Sequence, residues 1–256
     1  MPETVEIELR GPICVVSLYR PAKLNAISEQ MERDLCDAVA SAEVRRSSCI
    51  VFTGGPEVFS AGADLSVTRG YEPGEIIAHY QGTGDFAERV AALPQPTLSA
   101  IAGYCIGGGL ELALATDFRI AEPSADFRFP EVALGILPSW GGAVRAVRLL
   151  GAAAAKELIL LRERLDAQDA LRLGLVTELV AEGQSLPRAL ELAERLAQLP
   201  PHAVSVTKRL IDVLPESSHA AGLELERLAY GMLAQTDEAG GKLTSWGRSE
   251  SDGPLD

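Results

Sequence analysis

The chain has 256 residues, 47% of them hydrophobic and 23% charged, with a formal net charge of −13. That length suits one large domain, or one domain with a small helical appendage, and the apolar content excludes a chain that is disordered by default. The acidic balance excludes nucleic-acid binding through a basic footprint and docking on anionic membranes. An anionic ligand held by a few local cations or a helix N-terminus stays compatible with it.

Residues 4–9 alternate in polarity and Ile13 to Leu18 form an apolar run, with Gly11-Pro12 as a turn between them, so a hairpin is predicted. Ser28 is placed to cap a helix running to about Val44, with Met31, Leu35, Ala38, Val39 and Ala42 at helical spacing. Cys49 to Thr53 reads as a short buried strand stopped by Gly54-Gly55. Phe59 to Leu65 crosses from loop to helix, and residues 66–74 are expected to be mobile, with Gly70, Pro73 and Gly74 as breakers. A helix is predicted from about Gly84 to Leu93 and a strand over Thr97–Ala102. Gly103 to Gly109 is a turn into a helix ending near Ala115, followed by strands at Phe118–Ala121 and Asp126–Phe129. After Trp140 the pattern is helical, broken near Gly151, Gly174, Gly183 and Pro200-Pro201, with one strand at Leu175–Val180. The polar tail from Gly240 is expected to fray beyond about Arg248. Strands alternating with helices, then helices alone, predict an α/β fold with a helical C-terminal part.

Four cysteines are present, and none lies in a CxxC or a Cys/His cluster; Cys14, Cys49 and Cys105 sit in apolar runs as small core residues. The opening residues are acidic, with no apolar h-region, and no stretch reaches the length of a membrane span. A reducing cytoplasm is therefore the expected compartment.

The chemistry-bearing residues are few. Gly107-Gly108-Gly109 stands between a predicted strand and helix, where glycines admit a ligand to the backbone and a helix start presents unpaired N–H groups. Such groups stabilise charge developing on a carbonyl oxygen; the same glycines fit equally a packing turn with no ligand. Leu112 breaks the GxGxxG pattern of a dinucleotide site, and Gly82-Thr-Gly84 follows no predicted strand. Ser60-Ala-Gly-Ala-Asp-Leu65 is a second glycine-containing loop, in which Asp64 is a candidate helix cap. Glu111 lies in the otherwise apolar run Leu110 to Ala115, either as a buried acid/base group or on an exposed helix face. Glu131 has a similarly apolar setting, and two carboxyls in different environments can divide acid and base roles. There is no GxSxG elbow, Walker A motif or HExxH motif, and His79, His202 and His219 lack ligand-like spacing, so no metal is expected.

Four segments in order, Leu24-Asn-Ala-Ile-Ser28, Phe59-Ser-Ala-Gly-Ala-Asp-Leu65, Gly103-Tyr-Cys-Ile-Gly-Gly-Gly-Leu-Glu-Leu-Ala113 and Pro130-Glu-Val-Ala-Leu-Gly-Ile-Leu-Pro138, resemble the enoyl-CoA hydratase/isomerase (crotonase) superfamily over residues 10–250. The resemblance implies a spiral of ββα units over residues 1–195 and a helical trimerisation region over 196–256, assembled as a homotrimer or homohexamer. It implies an acyl-CoA thioester substrate, coenzyme A being part of the substrate and no separate cofactor being needed. By position, the N–H groups of Ala63 and Gly108 would form an oxyanion hole. Ala63, Asp64, Leu65, Ser66 and Gly108 would line the bound thioester, and Glu111 and Glu131 would be the catalytic pair of a hydratase. An isomerase, or a dehydratase of a specialised pathway, is the alternative within the superfamily. A non-catalytic CoA-ester-binding or RNA-associated scaffold is the alternative outside it.

Some positions depart from the superfamily pattern. Ser139-Trp140 stands where small residues are usual, and Trp140 reads equally as a wall of the acyl pocket or as core. Gln95 replaces a frequent Lys, and a basic C-terminal segment is reduced to Ser245-Trp-Gly-Arg248, leaving Lys23, Lys208 and Arg248 as candidate phosphate contacts. Tyr71, Ile76, Ile77, Tyr80 and Phe86 are the apolar candidates for an acyl pocket, with helix packing as the alternative for each.

Overall fold

The computed structural model describes residues 4–64 and 72–241, apart from the side chains of Pro73 and Ile76. The chain divides into two units, Met1–Leu196 and Ala197–Asp256. The first begins with the expected hairpin, β1 (Val5–Arg10) and β2 (Ile13–Leu18) pairing antiparallel about Gly11-Pro12. The later strands are β3 (Cys49–Thr53), β4 (Thr97–Ile101), β5 (Tyr104–Ile106), β6 (Phe118–Ala121), β7 (Asp126–Arg128), β8 (Leu165–Asp166) and β9 (Glu178–Leu179). They form a six-stranded sheet of order β1-β2-β3-β4-β6-β9, parallel from β2 onward, and a small sheet of order β5-β7-β8.

Successive strands feed the two sheets in turn. β4 joins the large sheet and β5 the small one before a helix at Gly108–Leu114 (α5); β6 and β7 repeat the step. After β3, Ser60 bridges to Cys105 of β5, so the first loop occupies the equivalent place. This is the ββα spiral that the resemblance implied.

The large sheet is covered on both faces, which is why its strands read as nearly unbroken apolar runs. Ile13, Val15, Cys49, Val51, Leu98, Ala100 and Ile120 face Ala189 and Ala193 of a helix at Ser185–Ala197. The alternate residues Cys14, Val16, Ile50, Phe52 and Ile101 face the main core with Met31, Leu35 and Phe59. Each fully buried Leu or Phe there contributes about 1.5–3 kcal/mol.

The helices depart from expectation where side chains or chain ends compete for backbone groups. α1 (Glu29–Ala40) starts as predicted, with Ser28 Oγ accepting from the Met31 N–H, but it stops short of Val44. Ser41 is extended and its hydroxyl accepts from the Val44 N–H, restarting the chain as α2 (Ala42–Arg46). Pro73 and Gly74 do not break structure: Pro73 opens α3 (Pro73–Tyr80), a position that needs no N–H, and Glu75 Oε2 accepts from the N–H of Glu72. Residues 66–71 of the expected mobile stretch lie outside the described residues. The predicted helix 84–93 is a 3₁₀ turn at Thr83–Asp85 followed by α4 (Phe86–Ala91). The strand predicted at 175–180 shrinks to β9, because the N–H groups of Leu175 and Val176 bond to Ala170 O and close α7 (Ala167–Arg172). Between α5 (Gly108–Leu114) and α7 lies α6 (Gly142–Lys156), which Gly151 interrupts with φ 78°.

Following α8 (Ser185–Ala197), the second unit contains α9 (Pro201–Val213) and α10 (His219–Leu233), which lie against each other. Ser218 caps α10 by accepting from the Ala221 N–H. The tail beyond residue 241, including Ser245 to Arg248, is outside the described residues. Among the described residues, no helix is long and apolar enough to cross a membrane.

One buried side chain joins the loops on which the site is built. Asn25 is 2% exposed and adopts φ 53°. Its Oδ1 accepts from Arg20 N at 2.8 Å, and its Nδ2 donates toward Gly54 O at 2.8 Å and Val58 O at 3.1 Å. Asn25→Ala leaves these buried groups unpaired in a left-handed backbone that alanine disfavours, and should cost about 3 kcal/mol of unfolding free energy in urea titrations. A loss under about 0.5 kcal/mol, the usual size of a surface change, would contradict this role.

Candidate active site

Two backbone segments hold the Ser60–Asp64 loop in place. Ala61 N–H donates to Leu24 O, Ile27 N–H donates to Gly62 O and Asp64 N–H donates to Ile27 O, so residues 24–27 run alongside it like a strand. On the other side, Ser60 N–H donates to Tyr104 O and Ile106 N–H to Ser60 O. The Ser60 hydroxyl donates to Asn25 O at 2.7 Å and accepts from Gly62 N. Gly62 has φ 91°, and a Cβ there would lie 2.7 Å from Ile106 O and 3.4 Å from Gly108 N. The two glycine-containing loops therefore meet, although 46 positions separate Gly62 from Gly108 in the numbering.

Gly107 makes the turn that brings them together. Its φ of 49° with ψ of −121° is open to glycine and strained for other residues, and its N–H donates to Arg128 O. α5 begins at the next residue, so Gly108 N–H is one of the first-turn donors that have no intrahelical acceptor. Among the described residues, no carbonyl accepts from the N–H of Gly108 or of Ala63. These donors belong to adjoining loops.

Both glutamates are buried. Glu111 is 2% exposed, and its Oε1 accepts from the N–H groups of Trp140 at 2.7 Å and Gly142 at 2.9 Å. Burial pushes its carboxyl up to about 7, and the nearby Glu131 adds to the rise; the two N–H donors and Arg145 act in the opposite direction. Glu131 opens a 3₁₀ turn, Glu131–Leu134, and its carboxyl is likewise raised by burial. Its Oε1 lies against Gly107, where an added Cβ would come within 2.6 Å. Its Oε2 is buried and meets no hydrogen-bond partner among the described residues. The arrangement is thus a pair of interacting carboxyls around the glycine turn, one gripped by two N–H groups and one with an unpartnered oxygen.

The other candidates are spread unevenly. Asp64 forms an ion pair with Arg20 at 3.1 Å; the helix it was expected to cap, and Leu65, Ser66 and Tyr71, fall outside the described residues. Of the apolar pocket candidates, Ile77 is 61% exposed and Phe86 is core, while Tyr80 lines a cavity of about 280 Å³ with Gly84, Ala87, Glu88, Ser139 and Trp140. Gln95 donates to Val44 O, tying α2 to the approach to β4. His79 sits 3.2 Å from Glu32, a structural placement.

Sequence reasoning missed the support for Glu111. Arg145 donates to Trp140 O at 2.8 Å and pairs with Glu88, holding the 140–142 turn whose N–H groups reach the carboxylate. Only its place five residues after Trp140, in the first turn of α6, hinted at this. Tyr80 also donates to Ser139 Oγ at 2.5 Å, joining α3 to the same turn.

The raised Glu111 carboxyl has a stability consequence. Its folded value lies above its ordinary 4.5, so the folded state binds the proton more tightly than the unfolded chain does. The contribution of this group to stability is therefore full below pH 4.5 and lost as pH rises to about 7. Glu111→Gln removes the titration. Urea unfolding at pH 4.5 and pH 8 should show the variant gaining about 1–3 kcal/mol on the wild type across that interval. A difference that is flat in pH, or of the opposite sign, would contradict the burial argument.

The enoyl-CoA hydratase/isomerase family model matches residues 8–245. The chain is 37% identical over 228 residues to a protein of Arabidopsis thaliana named "Probable enoyl-CoA hydratase 2, mitochondrial", covering 88% of this chain and 76% of that one. It is 38% identical over 242 residues to an enoyl-CoA isomerase/hydratase of Mycosarcoma maydis, covering 90% and 88%. A crystal structure of an enoyl-CoA hydratase from Bacillus anthracis superposes with a TM-score of 0.89 at 32% identity, covering 96% of this chain and 97% of that one. The match in sequence along most of the chain, and in fold at the same coverage, establishes that this protein belongs to the enoyl-CoA hydratase/isomerase family.

Proposed function

We propose that this protein is an enoyl-CoA hydratase, adding water across the 2,3 double bond of a trans-2-enoyl-CoA to give a 3-hydroxyacyl-CoA. The observation that carries this reading is the pairing of two buried carboxyls, Glu111 and Glu131, around the Gly107–Gly108 turn beside the Ala63 loop. Two carboxyls suit a reaction that must remove one proton and deliver another.

In this reading the N–H groups of Ala63 and Gly108 receive the C1 oxygen of the thioester, and Ala63 and Asp64 line the thioester and pantetheine. The thioester brings coenzyme A, so no separate cofactor is required. Water lies between the carboxyls. Glu111 takes a proton from it as the hydroxyl oxygen bonds to C3, and the π electrons move onto the C1 oxygen as an enolate. Glu131 then releases its proton to C2 and the carbonyl re-forms. The division of labour is assigned from the donors: two N–H groups hold charge on Glu111, whereas Glu131 keeps one oxygen that meets no partner among the described residues and suits the protonated form. Loss of one oxyanion donor typically costs ~3–4 kcal/mol of transition-state stabilisation.

Isomerisation is the second reading, favoured by the Mycosarcoma maydis relative, whose name joins both activities. One carboxyl would then carry a proton between C2 and C4 with no water added, and product mass separates the two reactions. Assembly as a trimer or hexamer is proposed with the hydratase reading, supported by large exposed apolar side chains such as Leu161 at 79% and, in the second unit, Tyr230 at 73%. Light scattering on the eluting protein tests it. A cytoplasmic location accords with four cysteines that are free and buried.

Glu131→Gln should lower kcat for hydration of crotonyl-CoA by ~10²–10⁴-fold, while calorimetric binding of butyryl-CoA changes by less than about tenfold. Near wild-type turnover would sink the assignment. The pH profile gives a second test. Glu111 must be ionised to act as the base, so kcat/KM should fall on the acid side of about pH 7. A rate constant that stays level from pH 8 to pH 5 would remove Glu111 from that role.

A further inference from the structure

Trp140 has two separate connections to the site. Its backbone N–H holds Glu111, and its side chain lies against Gly108. A Cβ added at Gly108 would come within 2.1 Å of Trp140 Cζ3 and 2.6 Å of Cε3, so the indole edge rests directly on the Cα of that glycine. The ring is braced from beyond by Phe86, edge to face, with centroids 4.9 Å apart. Phe86 is fully buried, and Trp140 is 9% exposed. Trp140 also lines the cavity of about 280 Å³ with Tyr80, Gly84, Ala87, Ser139 and Gly141. One side chain therefore touches both the glycine that would receive the thioester oxygen and a cavity that this glycine does not itself line.

The indole is not held there by a polar bond. Its Nε1 is buried and meets no acceptor among the described residues. A donor left unpaired is a cost that a plain core position would shed by using Phe or Leu. Shape is what the residue supplies: a flat, rigid ring, wedged between Phe86 and Gly108 and unable to move aside without opening a void.

We propose that the Trp140 indole is the partition that sets acyl selectivity in this protein. As a wall against Gly108, it admits a straight 2-enoyl chain and turns away acyl groups branched or ring-closed at C2 or C3. This rests on the hydratase reading, since it places the thioester carbon beside Gly108. Substituents on C2 and C3 are the ones that meet a wall touching that residue, whereas groups farther along the chain lie beyond it.

The test compares wild type with Trp140→Ala, using crotonyl-CoA as the straight substrate and 2-methylcrotonyl-CoA and cyclohexene-1-carboxyl-CoA as the hindered ones. The quantity read is the ratio of kcat/KM for hindered over straight substrate, in which any general loss of activity cancels. A methyl group against a packed wall changes specificity by about 10–200-fold, so the ratio should rise by that much in Trp140→Ala. A parallel binding arm compares butyryl-CoA with 2-methylbutyryl-CoA by calorimetry and should shift in the same direction. Ratios unchanged in both arms overturn the partition. If the wild type hydrates no enoyl thioester but the binding ratio still shifts, the hydration reading falls and the partition stands. Should Trp140→Ala fail to fold, Trp140→Leu decides by the same ratios, because neither change removes a side-chain hydrogen bond.

Discussion

A carboxylate inside an apolar helix is costly, and the structure around Glu111 is arranged to hold one. Oε1 of Glu111 is met by two backbone N–H groups, from Trp140 and Gly142, at the entrance to α6. A buried anion without such donors would cost several kcal/mol or take up a proton. The donors are only as well placed as the turn that carries them. That turn is secured by Arg145 on the Trp140 carbonyl and by the pairing of Arg145 with Glu88 on α4. Helices α4, α5 and α6 are thus joined by a polar network that runs from the buried Glu111 through the 140–142 turn and Arg145 to the exposed Glu88.

The balance of forces on the pair of carboxyls is a compromise. Burial raises both Glu111 and Glu131; the N–H groups of Trp140 and Gly142 act against the rise on Glu111, and the backbone N–H of Glu131 itself acts against it on Glu131. The environment is asymmetric without separating the two groups, and asymmetry of this kind lets neighbouring carboxyls take different roles. The same burial weakens the fold as pH rises, so the site is held at some cost to stability, a common relation between activity and stability.

The backbone donors depend on a different set of contacts. Gly62 and Gly108 meet because residues 24–27, the Ser60 loop and β5 are laid side by side, with Asn25 and the Ser60 hydroxyl filling the polar gaps between them. Gly62 and Gly107 take positive φ at this junction, where side chains would strike backbone or Glu131. The ββα spiral makes the meeting possible, since the segment after β3 and strand β5 are successive turns of one winding.

The sequence by itself determined the hairpin, the buried strands of the large sheet, the start of α1 and the glycine turn into α5, because each rests on local patterns: alternation in β1, unbroken apolar runs in the buried strands, a serine cap, glycines where a helix begins. Motif order was enough for the family. Boundaries such as Ser41, Pro73 and Leu175 escaped because competing hydrogen-bond partners decide them, and those are set by neighbours in space. Glu111 in an apolar run read equally as buried or exposed, and Trp140 equally as wall or core. Only the tertiary structure decided both: Glu111 is buried because residues 140–142 bring it donors, and Trp140 is core and cavity wall together because Phe86 and Gly108 enclose its ring. Partners 29 and 31 positions away from Glu111 leave no periodic trace in a sequence, since the distance between them is set by packing and not by the repeat of a helix or strand.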